Sequence, residues 1–159
     1  MAESYPRTFR GGALFIDASQ VLARLPVILE EMRQRAIQGT AEICLQLFND
    51  SVMQEPTVPK DTGHLRASGS VLVEGKAVYV SEEPSSGLAG TPVLEDDSLR
   101  KAGMVTGAVI FNTPYAAHLH ETADLHFHEP GSGAKYLEAK VQRYHTQYAQ
   151  HLANKIKGG

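Results

Sequence analysis

A long stretch with helical periodicity, residues 19–53, constrains the fold of this chain more than any other feature. Apolar side chains recur there at intervals of three and four residues, and polar side chains occupy the opposite face. Asp17 and Ser19 are good N-cap residues, whereas Pro26 either bends the helix or opens it at its first turn. We expect a helix over residues 26–54 that buries its apolar stripe. The stripe consists of Leu29, Met32, Ala36, Ile37, Ile43, Cys44, Leu47 and Phe48.

A second amphipathic stretch lies near the C-terminus. It follows Gly131-Ser132-Gly133, and the spacing predicts a helix over residues 134–156. Lysines near its end complement the negative end of a helix dipole, and glycines follow them. The expected apolar stripe is Leu137, Val141, Tyr144, Tyr148 and Leu152.

Strand patterns separate the two helices. Residues 65–73 and 77–81 flank a Gly75-Lys76 turn that suits a hairpin, and residues 107–112 form a third apolar run. Residues 115–121 read as one or two helical turns. We therefore expect an α+β fold, with an antiparallel sheet of three to five strands packed by a long N-terminal helix and a C-terminal helix.

Length and residue order predict a single domain. The chain has 159 residues, which is ordinary for one hydrophobic core. Residues 1–16 are interpreted as an N-terminal arm and residues 17–159 as one α+β domain, within which residues 82–100 form an extended loop. Fixing the backbone of each residue costs ~1–2 kcal/mol. We therefore expect the arm and the loop to contact other subunits.

Charge and cysteine content narrow the function classes. The net charge of −3 gives no basic face for gripping nucleic acid. The single cysteine, Cys44, excludes an intramolecular disulfide and a thiolate zinc cluster, and it is predicted to be a buried structural thiol. Because residues 1–10 lack the apolar core of a signal peptide, we expect the protein to stay inside a cell or an assembly built there.

Two His-x-His-Glu tetrads, residues 118–121 and 126–129, raise a metal-site hypothesis. On a strand, two histidines of one tetrad would face the same side and the glutamate could complete a ligand set. The first tetrad, however, reads as helical, and there residues two apart point ~200° apart. We expect no bound transition metal, and polar histidines at a surface or subunit contact instead. The side chains concerned are His118, His120, Glu121, His126, His128 and Glu129.

Motifs of other enzyme classes are weak or missing in the sequence. No nucleophile elbow, phosphate-binding loop or dinucleotide fingerprint occurs. Asp61-Thr62-Gly63 spells the tripeptide of aspartic proteases, but it occurs once and without flanking apolar strands. We therefore assign no catalytic, cofactor-binding or metal residues, and we expect a protein that is not an enzyme. A small metal-dependent enzyme using the tetrads remains the alternative.

Three motifs occur in order along the chain. Residues 61–68 read DTGHLRAS after a Pro-x-x-Pro linker, residues 109–116 read VIFNTPYA with His120-Glu121 following, and residues 133–139 read GAKYLEA. Together they resemble the tail-completion and neck proteins of long-tailed bacteriophages, over residues 20–155. The loop at 82–100 and the insert at 122–130 depart from that family's pattern.

The resemblance implies a structural virion protein that joins the phage tail to the head. It implies a homo-oligomeric ring, commonly of six subunits, that contacts tail-tube or terminator proteins and head-closure or connector proteins. DNA would pass through the ring without specific binding, no membrane would be involved, and assembly would occur in the host cytoplasm. A capsid-associated minor protein with the same fold is a lesser alternative.

The same resemblance suggests roles for single residues. Thr62-Gly63 would form a tight turn, and Leu65 would seat the following strand on the helices. Tyr115 would pack under the sheet edge. For Glu121 two roles are open, because it could cap a backbone or pair with Arg66.

Overall fold

The fold is described from a computed structural model, which covers residues 7–10, 13–82 and 90–158, with only the backbone for residues before 17. A hairpin comes first, then a long helix, three sheet strands and a C-terminal helix. In chain order the elements are β1 (Arg7–Arg10), β2 (Ala13–Ile16), α1 (Ser19–Met53), α2 (His64–Ala67), β3 (Gly69–Val73), β4 (Lys76–Val80), β5 (Gly107–Phe111), α3 (Ala116–Glu121) and α4 (Glu138–Lys157).

The main sheet is antiparallel, with β3 between β4 and β5. β3 is buried along its whole length, which explains its continuous apolar and small-residue sequence. The β3–β4 turn consists of Glu74 and Gly75, both with positive φ, 52° and 75°. This is the backbone of a type I′ hairpin turn, which matches the twist of the flanking strands. The expected turn at residues 75–76 was therefore one residue too late.

Helix α1 lies directly on one face of this sheet. Its Phe48 stacks on Phe111 of β5, with 5.4 Å between ring centroids, and meets Tyr79 of β4 edge-on at 5.1 Å. Gly69 and Gly107 lie beneath the helix, and neither position has room for a side chain. The two glycines thus allow α1 to approach the sheet closely, and the aromatic side chains of the core pack between them.

Helix α4 packs along α1 in the antiparallel sense. Gly39 of α1 is buried against Leu152, so the glycine that interrupts the apolar pattern serves a close helix crossing. Glu42 bonds His151 at 2.6 Å and Lys155 at 2.8 Å across the same contact. Pro26 lies inside a continuous α1. The predicted α+β class, with a long N-terminal helix, a C-terminal helix and a three-stranded antiparallel sheet, is confirmed.

Three local predictions were wrong. Residues 64–67 form a helical turn rather than the start of a strand. Helix α4 begins at Glu138 rather than at 134, because Lys135 adopts φ +57°, which a right-handed helix excludes. Val141 of the expected stripe is 45% exposed.

The N-terminal half of α1 also departs from expectation. Residues 17–32 are exposed throughout, including Leu29 and Met32 of the predicted buried stripe. From residue 33 onward the helix meets the sheet and α4, and there Cys44 and Phe48 are buried as predicted.

The arm at residues 1–16 and the loop at residues 82–100 were expected to contact other subunits. Where the structure describes them, both make hydrogen bonds within the chain. In the arm, β1 and β2 pair as an antiparallel hairpin. In the predicted loop, residues 83–89 lie outside the described residues. The amide of Ala77 bonds Leu94, and that of Asp96 bonds Gly75, each at 2.9 Å. Contacts of both segments with other subunits therefore stay a prediction. Within the described ranges, no helix is long and apolar enough to span a membrane.

Candidate functional site

Two of the three motifs that carry the resemblance, those at residues 61–68 and 109–116, border one cleft beside the sheet. The cleft has a volume of about 240 Å³. One wall is the turn at residues 59–65, the other is the insert at residues 125–129, and Tyr115 and Leu119 close the remaining side. The first tetrad's helix and the second tetrad thus border the same surface.

The turn before α2 shapes the first wall. Gly63 has φ +84°, a left-handed conformation that side chains with a Cβ rarely adopt, and it directly precedes α2. Gly63 thus adopts the left-handed backbone expected of a glycine in the Thr62-Gly63 turn. Leu65, 3% exposed, enters the core, although from a helical turn rather than from a strand.

Arg66 joins the two walls from within. Its side chain is 9% exposed and donates from Nε to the carbonyl of Val58 at 2.8 Å. Its Nη2 pairs with the Glu129 carboxylate, which also accepts from Ser132 Oγ at 3.0 Å. The suggested pair between Arg66 and Glu121 was wrong, because the insert supplies Glu129 instead. A buried guanidinium held by a carbonyl and a carboxylate fixes the insert on the domain.

Glu121 belongs to a separate network. One carboxylate oxygen accepts from His120 Nδ1 at 2.7 Å, and the other pairs with Lys135, which also bonds Glu138 at 2.9 Å. Lys135, then His120, lowers the pKa of Glu121 below the ordinary glutamate value. In return Glu121, then Glu138, raises the pKa of Lys135. This exposed network ties the end of α3 to the segment that leads into α4.

The residue under the sheet edge is Tyr136, not Tyr115. Tyr136 is 2% exposed, whereas Tyr115 is 41% exposed and lines the cleft. The Tyr136 ring meets Phe111 edge-on at 5.8 Å and His120 at 4.8 Å, and its hydroxyl donates to the Ala116 carbonyl at 3.4 Å. Burial raises the pKa of Tyr136 to about 12.

Lys140, one turn later, is fully buried, a position that sequence reasoning missed. Its Nζ donates to the carbonyls of Pro56 at 2.7 Å and Tyr136 at 3.3 Å. Loss of hydration lowers the pKa of Lys140. Its burial could have been predicted from its spacing, because Lys140 lies four residues after Tyr136 and four before Tyr144, on the inward face of α4.

The histidines of the two tetrads do not converge. His126 and His128 line the cleft, whereas His120 packs on Tyr136 and His118 is exposed. Among residues 17–82 and 90–158, no three His, Cys, Asp or Glu side chains are grouped so that they could hold a metal ion. Cys44 lies in the core, where burial raises the pKa of its thiol. The cleft thus presents polar and aromatic side chains between two walls that the Arg66–Glu129 pair joins.

Replacement of Lys135 by Gln should raise the measured pKa of Glu121, because the largest cause of its lowering disappears. Since the folded-state pKa is lowered, any stabilisation from this carboxylate is present above the unfolded pKa. It is lost as the pH falls through the folded value. NMR titration of the side-chain carboxyl carbon checks both proteins. An unchanged midpoint in the Lys135→Gln variant would show that the ion pair does not form in solution.

No family model, curated protein or solved structure matches this chain.

Proposed function

We propose that this chain is a structural virion protein, a tail-completion or neck ring component that connects a phage tail to its head. It acts by binding neighbouring proteins rather than by catalysis. The resemblance of the three motifs to that family is the starting point, and the way their residues pack together supports it.

The observation that carries the proposal is that the three motifs form one continuous structural unit. The first and second motifs join where the Asn112 amide donates to the Ser68 carbonyl at 3.3 Å. The second and third join where the Lys135 amide donates to the His120 carbonyl at 2.8 Å and where Tyr136 packs on Phe111. Contact among the three motifs is what a shared structural signature requires, and it supports the proposal in that sense.

The shape and lining of the cleft also favour protein binding over catalysis. The cleft is bordered by a left-handed turn at Gly63 and by the insert that Arg66 holds through Glu129. A concavity with both polar and aromatic walls is suited to receiving a side chain or loop of a neighbour. The proposed neighbours are copies of this chain in a ring, commonly six, together with tail-tube or terminator and head-closure or connector proteins.

The charge balance is consistent with a ring through which DNA passes. The net charge of −3 offers the phosphate backbone no general attraction, so DNA would pass without being held. The protein would assemble in the host cytoplasm and remain in the finished particle.

Native mass spectrometry of the purified chain tests the ring. We expect an assembly of about six times the 17.3 kDa chain mass, alone or after addition of a tail protein. A phage in which this gene is interrupted should accumulate unjoined heads and tails, and purified protein should restore infectious particles to the mixed extract. Normal particles from the interrupted phage would refute the proposal.

A further inference from the structure

The uncovered half of α1 carries an organised apolar stripe. Residues 19–32 extend about 20 Å beyond the body of the domain, at ~1.5 Å per residue. Six large apolar side chains, 39–63% exposed, lie along one side of this segment. They are Val21, Leu22, Leu25, Ile28, Leu29 and Met32.

The spacing of this stripe is that of a helix-pairing seam. Leu22, Leu25, Leu29 and Met32 follow intervals of three, four and three residues, the repeat by which two helices interlock side chains. Val27, also exposed at 61%, points away from the seam at ~100° per residue. The exposed apolar side chains of this segment are therefore concentrated on one side of the helix.

The same side of α1 is already a helix-binding surface in the body. There α4 covers it, at Gly39 against Leu152, and ends beside Arg35, whose Nη1 donates to the Ile156 carbonyl at 3.5 Å. Beyond that point the side continues without α4 for residues 19–32. The stripe thus extends an established helix–helix contact past the end of the covering helix.

We propose that the stripe at residues 21–32 pairs with the same stripe of a second copy of this chain, in an antiparallel, two-fold arrangement. At their exposed fractions, the six side chains present about 500 Å² of apolar area per chain, near the upper end for the largest patch of a typical monomer. Two copies would bury about 1,000 Å², which is the least expected of a specific interface. A second copy therefore supplies an occupant of sufficient size.

Charge order favours the antiparallel direction. Arg24 lies toward one end of the stripe, and Glu31, which is 4.0 Å from Arg35 of its own helix, lies toward the other on the same flank. Antiparallel pairing centred near residue 27 sets Arg24 of one copy opposite Glu31 of the other. Parallel pairing would instead place like charges level with each other. This two-fold contact is separate from the ring contacts and does not rest on the proposed function.

The test compares oligomer mass, by native mass spectrometry and light scattering, in three proteins. Leu22→Glu with Leu29→Glu places charges in the seam, whereas Ala23→Glu with Val27→Glu places equal charges on the opposite side as a control. We expect an even number of chains for the wild type and the control, and half that mass for the seam variant. A monomeric wild type, or a seam variant of unchanged mass, would overturn the proposal and leave the stripe to another protein or to the arm.

The same measurements separate this pairing from the ring. A ring whose mass survives the seam substitutions would refute the pairing alone. A wild-type dimer that forms nothing larger with tail proteins would refute the ring alone. Circular dichroism should show unchanged folding in the seam variant, because residues 19–32 lie outside the core.

Disulfide trapping provides a second measurement that needs no charged residue in the seam. In the antiparallel pair, residue 25 of one copy lies opposite residue 29 of the other. A mixture of Leu25→Cys and Leu29→Cys proteins should give mostly the mixed disulfide, while buried Cys44 remains unreacted. Predominance of the two homodimers would indicate parallel pairing and contradict the proposal.

Discussion

Replacement of Arg66 by Met is expected to lower the free energy of unfolding by about 3 kcal/mol, because the change leaves the carbonyl of buried Val58 and the partly buried Glu129 carboxylate without their partner. The Arg66 guanidinium is nearly enclosed and contacts both the Val58 carbonyl and the Glu129 carboxylate. Met fills a similar volume, so the loss would come from the missing bonds and not from a cavity. Urea denaturation monitored by circular dichroism measures the change.

Two further variants serve as controls for Arg66→Met. Arg100→Ala removes an exposed arginine that pairs with Glu95 and Asp97, and it should cost under about 1 kcal/mol. Arg66→Met combined with Glu129→Gln should recover part of the loss, since residue 129 then carries no unpaired charge in its partly buried position. Equal losses for Arg66→Met and Arg100→Ala would show that the buried pair does not hold the insert.

Gly69→Ala should have the next largest effect, a loss of about 2–3 kcal/mol from overpacking. A Cβ at this position would lie 2.5 Å from Phe48 Cε2 and 2.9 Å from Phe111 Cε1. Both rings belong to the core, so α1 would have to move away from the sheet to make room. Thermal and urea unfolding of the purified variant test this directly.

Gly103→Asn serves as the matched control for Gly69→Ala. Gly103 has φ +74° and no neighbouring atom within 4 Å of an added Cβ, and Asn tolerates that backbone conformation. We expect a loss below about 1 kcal/mol. If Gly69→Ala were equally mild, the close approach of α1 to β3 would not limit stability.

Local features were predictable from the sequence because their causes are local. The periodicity of α1, the apolar run of β5 and the helical turns of α3 each follow from neighbouring residues, as does the left-handed turn at Gly63. In contrast, the start of α4 was missed, since the sequence gives no sign that Lys135 takes a left-handed conformation next to Glu121. The candidate site was predictable only as a set of motifs.

Only the tertiary structure decided which side chains pair with one another. Arg66 and Glu129 are 63 positions apart, and the resemblance had suggested Glu121 as the partner instead. Periodicity likewise defined the apolar side of α1 but not the length that α4 covers. The hydrophobic periodicity of a helix shows which of its sides is apolar. How much of that side is covered depends on the length and position of the helix that packs against it. The sequence therefore determined the elements and their apolar sides, and the packing of α4 decided which part of α1 remains exposed.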